Sequence, residues 1–263
     1  MEPIDYSPLD VPQIAEVMFY PQRVWSPCPN GASDHLVPVA EGVSISARFY
    51  PHRKDAPTIL FFHGNGEVAC DYDPIAGQYH QAGANFLVAD YRGYGRSGGI
   101  PSFPSMVADA RAVYRWSRDF LASEGYGGPR FVKGRSLGCH SAVEVAASFQ
   151  GELRGLVSES GSSAVDRTVV RFGLSPADPA VQAMVRAHRR KVASITLPFL
   201  MIHGERDELI PLQTAMDLYR SIGSRDKTLE VIPQAGHNDI LYVGMEQYFA
   251  AMRKFLAEHG APP

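Results

Sequence analysis

Short β-rich runs alternate with helical patterns along most of the chain, from residue 43 onward. The predicted strands cover residues 43–50, 58–63, 85–90, 130–134, 155–159, 199–203 and 228–232. An earlier strand near 35–39 would form a hairpin with the first of these across the Glu41–Gly42 turn. Strands that alternate with helices are typical of a parallel sheet covered on both faces. The sequence therefore predicts an α/β fold with a mostly parallel, eight-stranded sheet.

Composition narrows the class of protein. The 263 residues are enough for one large domain, and the formal net charge of −3 is too small to indicate a nucleic-acid-binding surface. The three cysteines lack CxxC spacing, which argues against a disulfide framework and a zinc site. The N-terminus does not resemble a secretory signal, and no apolar run approaches the roughly 20 residues that span a bilayer. We therefore expect a single domain over residues 1–263, in the cytoplasm.

Residues 161–197 interrupt the alternation of strands and helices. They include a predicted helix over 179–192 and an excess of basic residues: Arg167, Arg171, Arg186, Arg189, Arg190 and Lys191. Insertions after the C-terminal end of a strand are where α/β proteins place lids over binding crevices. We expect a small helical lid here. Its arginines either bind an anionic part of the substrate or form a solvated outer face, and the sequence leaves both readings open.

The segment Gly134-Arg135-Ser136-Leu137-Gly138 lies between a predicted strand and a predicted helix. This is the setting in which a G-x-S-x-G pattern indicates a nucleophilic serine. A sharp strand-to-helix turn needs small flanking residues, and it presents the hydroxyl at the positive end of a helix. The segment therefore predicts Ser136 as the nucleophile.

A serine hydroxyl needs a base to accept its proton, and the base needs a carboxylate to orient it. His237 follows the last predicted strand, and Asp207 follows the strand before it, so both should lie at the sheet edge that carries Ser136. The other histidines fall in helices or at a strand end, and His188 is expected on the surface. Glu159, at the end of another strand, is an alternative acid. The predicted triad is Ser136, His237 and Asp207.

A turn with backbone amides aimed at one oxygen would complete such a site. His63-Gly64-Asn65-Gly66 follows an apolar strand and has the glycines that such a turn requires. The predicted oxyanion-hole donors are the amides of Asn65 and Leu137.

Five segments occur in order, and together they resemble the α/β-hydrolase superfamily. They are His63-Gly64-Asn65-Gly66, Asp90-Tyr91-Arg92-Gly93-Tyr94-Gly95-Arg96-Ser97, Gly134-Arg135-Ser136-Leu137-Gly138, His203-Gly204-Glu205-Arg206-Asp207 and Gly236-His237. The pattern is similar to the small-lid, abhydrolase-domain-containing serine hydrolases, which include esterase-like, lysophospholipase-like and acyl-thioesterase-like enzymes. The resemblance covers roughly residues 43–260. It implies that the second segment is a structural turn beside the active site.

The expected function is hydrolysis of a carboxylic ester or thioester through an acyl-serine intermediate, with a small-molecule substrate and with no metal or organic cofactor. Arg135, Arg167 and Arg171 are candidate substrate-binding residues. Two alternatives remain open at this point: amide or peptide hydrolysis by the same residues, and a non-catalytic receptor of the same fold. A serine in place of aspartate or cysteine as nucleophile argues against haloalkane dehalogenase, epoxide hydrolase and dienelactone hydrolase chemistry.

Overall fold

The computed structural model describes residues 4–260, and an eight-stranded sheet lies at its centre. The strands are β1 (Ser33–Ala40), β2 (Val43–Tyr50), β3 (Thr58–Phe62), β4 (Asn85–Ala89), β5 (Arg130–Arg135), β6 (Gly155–Glu159), β7 (Phe199–Gly204) and β8 (Lys227–Ile232). Their order across the sheet is β1-β2-β4-β3-β5-β6-β7-β8. Strands β1, β2 and β4 pair antiparallel, and every other pair is parallel. All eight predicted strands are confirmed, with small shifts at their ends.

Eight α-helices surround the sheet within the described residues. They are α1 (Pro12–Met18), α2 (Ala76–Gln81), α3 (Phe103–Ser123), α4 (Gly138–Ser148), α5 (Val165–Arg171), α6 (Pro179–Ala193), α7 (Leu212–Ser221) and α8 (Ile240–His259). The sequence predicts helices over 105–123, 137–149, 179–192 and 240–257, and these correspond to α3, α4, α6 and α8. Three of the other four have no more than seven residues, too few for a clear helical period.

Each face of the sheet has its own hydrophobic core, because alternate strand residues point to opposite faces. Leu60 and Val132 belong to the cluster that includes residues of α3, α4 and α7. Phe61 and Phe131 belong to the opposite cluster, which includes residues of α2 and α8. The central parallel strands are therefore buried on both faces, as their nearly continuous apolar sequences predicted.

Helix α6 exposes Arg186, Arg189 and Arg190, but its opposite face is buried. Its residues His188 and Lys191 are almost fully buried. The Nδ1 atom of His188 and the Tyr6 hydroxyl form a hydrogen bond at 2.8 Å. The Lys191 ammonium lies 2.6 Å from a carboxylate oxygen of Glu144 in α4. The prediction that His188 lies on the surface is wrong, since the N-terminal segment covers this face of α6.

None of the helices between residues 4 and 260 combines the length and the apolar character needed to cross a lipid bilayer.

Strands β3, β5, β7 and β8 run parallel, so their carboxyl ends meet at one edge of the sheet. The loops that follow these ends contain Asn65, Ser136, Asp207 and His237.

Candidate active site

Ser136 lies in the turn between β5 and α4, in a backbone conformation that non-glycine residues rarely adopt, with φ of 50°. Two flanking glycines make this turn possible. A Cβ atom at Gly138 would collide with the carbonyl oxygen of Phe62, and one at Gly134 would collide with the carbonyl oxygen of Gly138. The Ser136 amide donates a hydrogen bond to the carbonyl oxygen of Glu159 at 2.9 Å. The turn therefore holds the serine in one position at the edge of the sheet.

His237 and Asp207 lie in line with Ser136. The distance from Ser136 Oγ to His237 Nε2 is 3.0 Å, and that from His237 Nδ1 to Asp207 Oδ2 is 2.8 Å. Both distances are within hydrogen-bonding range. His237 and Asp207 are almost fully buried, whereas Ser136 is half-buried. The three residues that the sequence analysis selected therefore form one hydrogen-bonded chain.

The carboxylate of Asp207 is oriented by its own loop. Its Oδ1 atom accepts hydrogen bonds from the amides of Leu209 at 3.0 Å and Ile210 at 2.8 Å. Burial alone would raise the pKa of the Asp207 carboxyl, but the hydrogen bonds from His237 and the Ile210 amide outweigh it and lower this pKa. Asp207 is therefore ionised at neutral pH and faces the Nδ1 atom of His237.

Glu159, the alternative acid, forms its hydrogen bonds with residues other than His237. Its Oε2 atom lies 2.5 Å from the Lys133 ammonium and 2.7 Å from the Tyr248 hydroxyl, and all three side chains are buried. Burial would raise the pKa of the Glu159 carboxyl, but the charges of Lys133 and Arg135 lower it. Glu159 makes no hydrogen bond with His237, so the structure favours Asp207.

The loop after β3 brings Asn65 to the same cavity as Ser136 and Leu137. Its side-chain oxygen accepts hydrogen bonds from the Tyr20 amide at 2.7 Å and the Tyr94 hydroxyl at 2.6 Å. In the part of the chain that the structure describes, the backbone amides of Asn65 and Leu137 donate to no protein acceptor. Both amides are thus available to a ligand oxygen.

His63, which precedes this loop, is buried and holds the start of the loop in place. Its Nε2 atom lies 3.1 Å from a carboxylate oxygen of Asp90, and its Nδ1 atom lies 2.8 Å from the Gly64 carbonyl oxygen. Burial would lower the pKa of His63, but the Asp90 carboxylate more than compensates and raises it. The second of the five segments, which begins at Asp90, therefore supports the loop that carries Asn65.

A cavity of about 680 Å³ opens above Ser136. Helix α5 forms one wall with Arg167 and Arg171, while α6 contributes no residue to this lining. The guanidinium of Arg167 lies 3.0 Å from a carboxylate oxygen of Asp217, and both side chains are about half exposed. The structure thus brings two of the three predicted substrate-binding arginines to the cavity.

Arg135, the third, does not line the cavity, and its prediction as a substrate-binding residue is corrected. Its guanidinium is buried behind the nucleophile turn, where it forms ion pairs with Glu67 and, at 3.2 Å, with Glu159. These two carboxylates hold the Arg135 side chain away from the cavity.

Nothing in the sequence indicated that α1 or His140 borders the cavity. Val17 and Met18 of α1 form part of the wall, although the N-terminal segment carried no recognised motif. His140, in the first turn of α4, also borders the cavity. Only the apolar residues of 12–18 could have indicated a helix there, and seven residues give too short a pattern. Within residues 4–260, no three His, Cys, Asp or Glu side chains are grouped as around a metal ion.

Comparisons with known proteins agree with this architecture. Residues 53–185 and 176–241 match the model of the family described as "Serine aminopeptidase, S33". An uncharacterised protein of Mycobacterium tuberculosis is 27% identical over 260 residues, which cover 94% of this chain and 88% of that protein. Protein bem46 of Schizosaccharomyces pombe is 28% identical over 77% of this chain and 68% of its own length.

Among solved structures, an esterase of Pyrococcus furiosus superposes with a TM-score of 0.73. The superposition covers 92% of this chain and 99% of the esterase, at 20% sequence identity. Similarity at this level of identity shows that the two chains share a fold.

Proposed function

The chain belongs to the serine aminopeptidase S33 family of α/β-hydrolases, and on this premise we propose that it cleaves carboxylic esters or thioesters through an acyl-serine intermediate. One observation carries the proposal: Ser136 Oγ, His237 and Asp207 form a continuous hydrogen-bonded chain that ends in a cavity. A serine is activated in this way when a histidine accepts its proton and a carboxylate fixes the histidine tautomer.

In the proposed reaction, Ser136 Oγ attacks the carbonyl carbon of the substrate while Nε2 of His237 takes the hydroxyl proton. The Asp207 carboxylate accepts the Nδ1–H hydrogen bond and stabilises the imidazolium that forms. The same proton then passes to the leaving alkoxide or thiolate, and the acyl group stays on Ser136. A water molecule, deprotonated by His237, attacks this acyl-enzyme and releases the acid and the free serine.

The tetrahedral intermediate carries a negative oxygen that needs hydrogen-bond donors. The backbone amides of Asn65 and Leu137 supply them in this proposal, since both residues border the cavity and neither amide has a protein acceptor in the region described. In comparable enzymes, removing one such donor costs about 3 kcal/mol of transition-state stabilisation.

Peptide hydrolysis is the second candidate, because the family description names an aminopeptidase. An aminopeptidase must bind the cationic amino terminus of its substrate, for which an acidic side chain is the usual partner. The charged residues of the cavity wall are Arg167, Arg171 and one acid, Asp166, which is itself paired with Arg189 at 2.7 Å. This balance favours neutral or anionic substrates, so we place ester or thioester hydrolysis first.

A screen of 4-nitrophenyl esters, thioesters and aminoacyl 4-nitroanilides tests the proposal. We expect turnover of esters or thioesters, and a loss of about 10⁴-fold or more in kcat for Ser136→Ala. Ser162→Ala is the matched control, since Ser162 borders the same cavity and lies outside the hydrogen-bonded chain. Turnover of nitroanilides alone would favour the peptidase. Labelling of Ser136 by a fluorophosphonate without turnover of any substrate would favour a non-catalytic receptor.

A further inference from the structure

His140 lies in the first turn of α4, four positions after Ser136 in the chain, and borders the same cavity. The residue is 8% exposed. Its ring packs edge-on against Phe103, with centroids 5.1 Å apart. A buried imidazole this close to a candidate nucleophile is not part of the hydrogen-bonded chain described above, so its role needs a separate explanation.

The hydrogen-bonding capacity of His140 is unused. Its Nδ1 atom is enclosed by protein and has no partner among residues 4–260. The Nε2 atom also lacks a protein partner there but is not enclosed, so it is the nitrogen that the cavity can reach. Buried polar groups are nearly always paired, since leaving one unpaired away from water is unfavourable. An imidazole left unpaired at a cavity wall is therefore suited to a ligand group.

The surroundings keep this imidazole neutral. Burial, and after it the positive charge of Lys191 in α6, lowers the pKa of His140 to about 3. His188, also in α6, has its ring centroid 6.5 Å away, and its nitrogens are bonded to the Tyr6 hydroxyl and the Ser163 carbonyl oxygen. Glu144, one turn further along α4, is paired with Lys191 and Arg111. At neutral pH, His140 thus offers one donor and one acceptor and no charge.

We propose that His140 is a specificity-determining residue that binds a hydroxyl group of the substrate, carried within a few bonds of the scissile carbonyl. The position follows from the cavity: His140 and Ser136 both border it and are four positions apart in the chain. A hydroxyl both donates and accepts, so it pairs with either tautomer of a neutral imidazole. A methylene group at the same place leaves the imidazole unpaired. This inference rests on the proposed ester hydrolysis and adds the substrate class.

Two pairs of esters test the proposal and distinguish the two parts of the substrate that could carry the hydroxyl. Ethyl 3-hydroxybutyrate against ethyl butyrate tests the acyl part, and 2-hydroxypropyl butyrate against propyl butyrate tests the alcohol part. We expect the wild-type protein to prefer the hydroxylated ester of one pair about tenfold in kcat/KM, the value of roughly one hydrogen bond. The preference should fall to near one in His140→Phe and His140→Leu.

Ser141→Ala is the matched control. Ser141 is the next residue of α4 and is also buried without a partner in the described chain, but it does not border the cavity. The preference should be unchanged in this variant. Equal rates for both members of both pairs in the wild-type protein, or a preference that persists in folded His140→Phe, would overturn the inference.

A binding measurement separates this inference from the proposed catalysis. Calorimetry on Ser136→Ala would compare N-propyl-3-hydroxybutanamide with N-propylbutanamide for the acyl side. For the other side it would compare N-(2-hydroxypropyl)butanamide with N-propylbutanamide. The imidazole ¹⁵N signals of His140 should shift only with the hydroxylated ligand, and this readout needs no variant of His140. Selective binding without ester turnover would support the His140 subsite and contradict the proposed function. Ester turnover with neither selectivity nor a ¹⁵N shift would overturn the subsite alone.

Discussion

The Nη2 atom of Arg135 lies 3.0 Å from the backbone carbonyl oxygen of His237. The same nitrogen lies 3.1 Å from the side-chain oxygen of Asn238, and the other terminal nitrogen pairs with Glu67. Glu67 in turn accepts a hydrogen bond from the Gly64 amide at 2.7 Å. A single buried guanidinium therefore connects the loop of the candidate base, the loop of the candidate oxyanion hole and the nucleophile turn.

This arrangement predicts that Arg135 is a positioning residue. In Arg135→Met and Arg135→Lys, kcat for an ester should fall about 10–100-fold while KM changes by less than about threefold, because displacements near 1 Å at reacting groups cost about this much. Arg135→Lys should not restore kcat, since a single ammonium group cannot form hydrogen bonds with both loops at once. Arg53→Met serves as the control, because Arg53 is exposed and its one ion pair within residues 4–260 is with nearby Asp55. A rise in KM at constant kcat would instead indicate that Arg135 contacts the substrate.

Asp207 and Glu159 should respond differently when each carboxylate is replaced by its amide. Asp207→Asn leaves the loop bonds largely in place but removes the charge opposite His237, so kcat should fall by about 10³–10⁴ with little change in melting temperature. Glu159→Gln leaves the buried Lys133 ammonium without its counter-charge, which should destabilise the fold by about 3–5 kcal/mol.

Steady-state kinetics and thermal unfolding on the same two preparations check this contrast. If folded Glu159→Gln lost activity as fully as Asp207→Asn at a temperature well below its melting point, Glu159 would have to be assigned a part in the reaction.

Much of the fold could be predicted because its signals are local. The buried strands β3, β4 and β7 are nearly continuous apolar runs, and each ends at residues typical of a turn. Ser136, Asp207 and His237 could be predicted for a related reason: each lies in the loop that follows a strand, and parallel strands place such loops at one edge. The sequence motifs and the order of the strands therefore predict the same three residues.

The parts that could not be predicted depend on contacts between distant segments. His188 was expected on the surface because it falls within a helical pattern, but Tyr6, far away in sequence, covers it. Val17 borders the cavity for the same kind of reason. Arg135 looked like a substrate ligand because it adjoins Ser136, whereas its partner Glu67 comes from another loop. No periodicity in the sequence reports such pairings.

Arg171 should favour anionic esters. It borders the cavity and makes no ion pair within residues 4–260, whereas Arg167 is paired with Asp217. Because Arg171 is exposed, its attraction is screened by water, and we expect only about a threefold to fivefold preference in kcat/KM for a carboxylate-bearing ester over a neutral one of equal size. The preference should disappear in Arg171→Gln and weaken in 0.5 M salt.

Arg186→Gln is the matched control for this prediction, because it removes the same charge from an exposed residue that does not border the cavity. If both variants reduced the preference equally, the effect would come from the overall charge of residues 161–197 and not from a contact of Arg171 with substrate.

Stability should fall as the pH drops from 7 to 5, and His140 should account for part of the loss. The unfolded chain has an ordinary histidine pKa near 6.5, whereas burial lowers the pKa of folded His140 to about 3. Below pH 6.5 the unfolded state therefore binds a proton on His140 that the folded state does not bind. The stabilisation that comes from neutral His140 is fully present above pH 6.5 and is lost progressively as the pH falls below it. At pH 5 this amounts to about 2 kcal/mol for one such histidine.

The measurement is urea unfolding at pH 5.0, 6.0 and 7.5, with the slope of unfolding free energy against pH as the quantity compared. His140→Phe should reduce the slope, because phenylalanine binds no proton in either state, while Ser141→Ala should keep the wild-type slope. His188, whose pKa burial also lowers, should leave a residual slope in the His140 variant. An unchanged slope in His140→Phe would mean that folded His140 accepts a proton near pH 6, and a neutral imidazole at the cavity wall would then be ruled out below that pH.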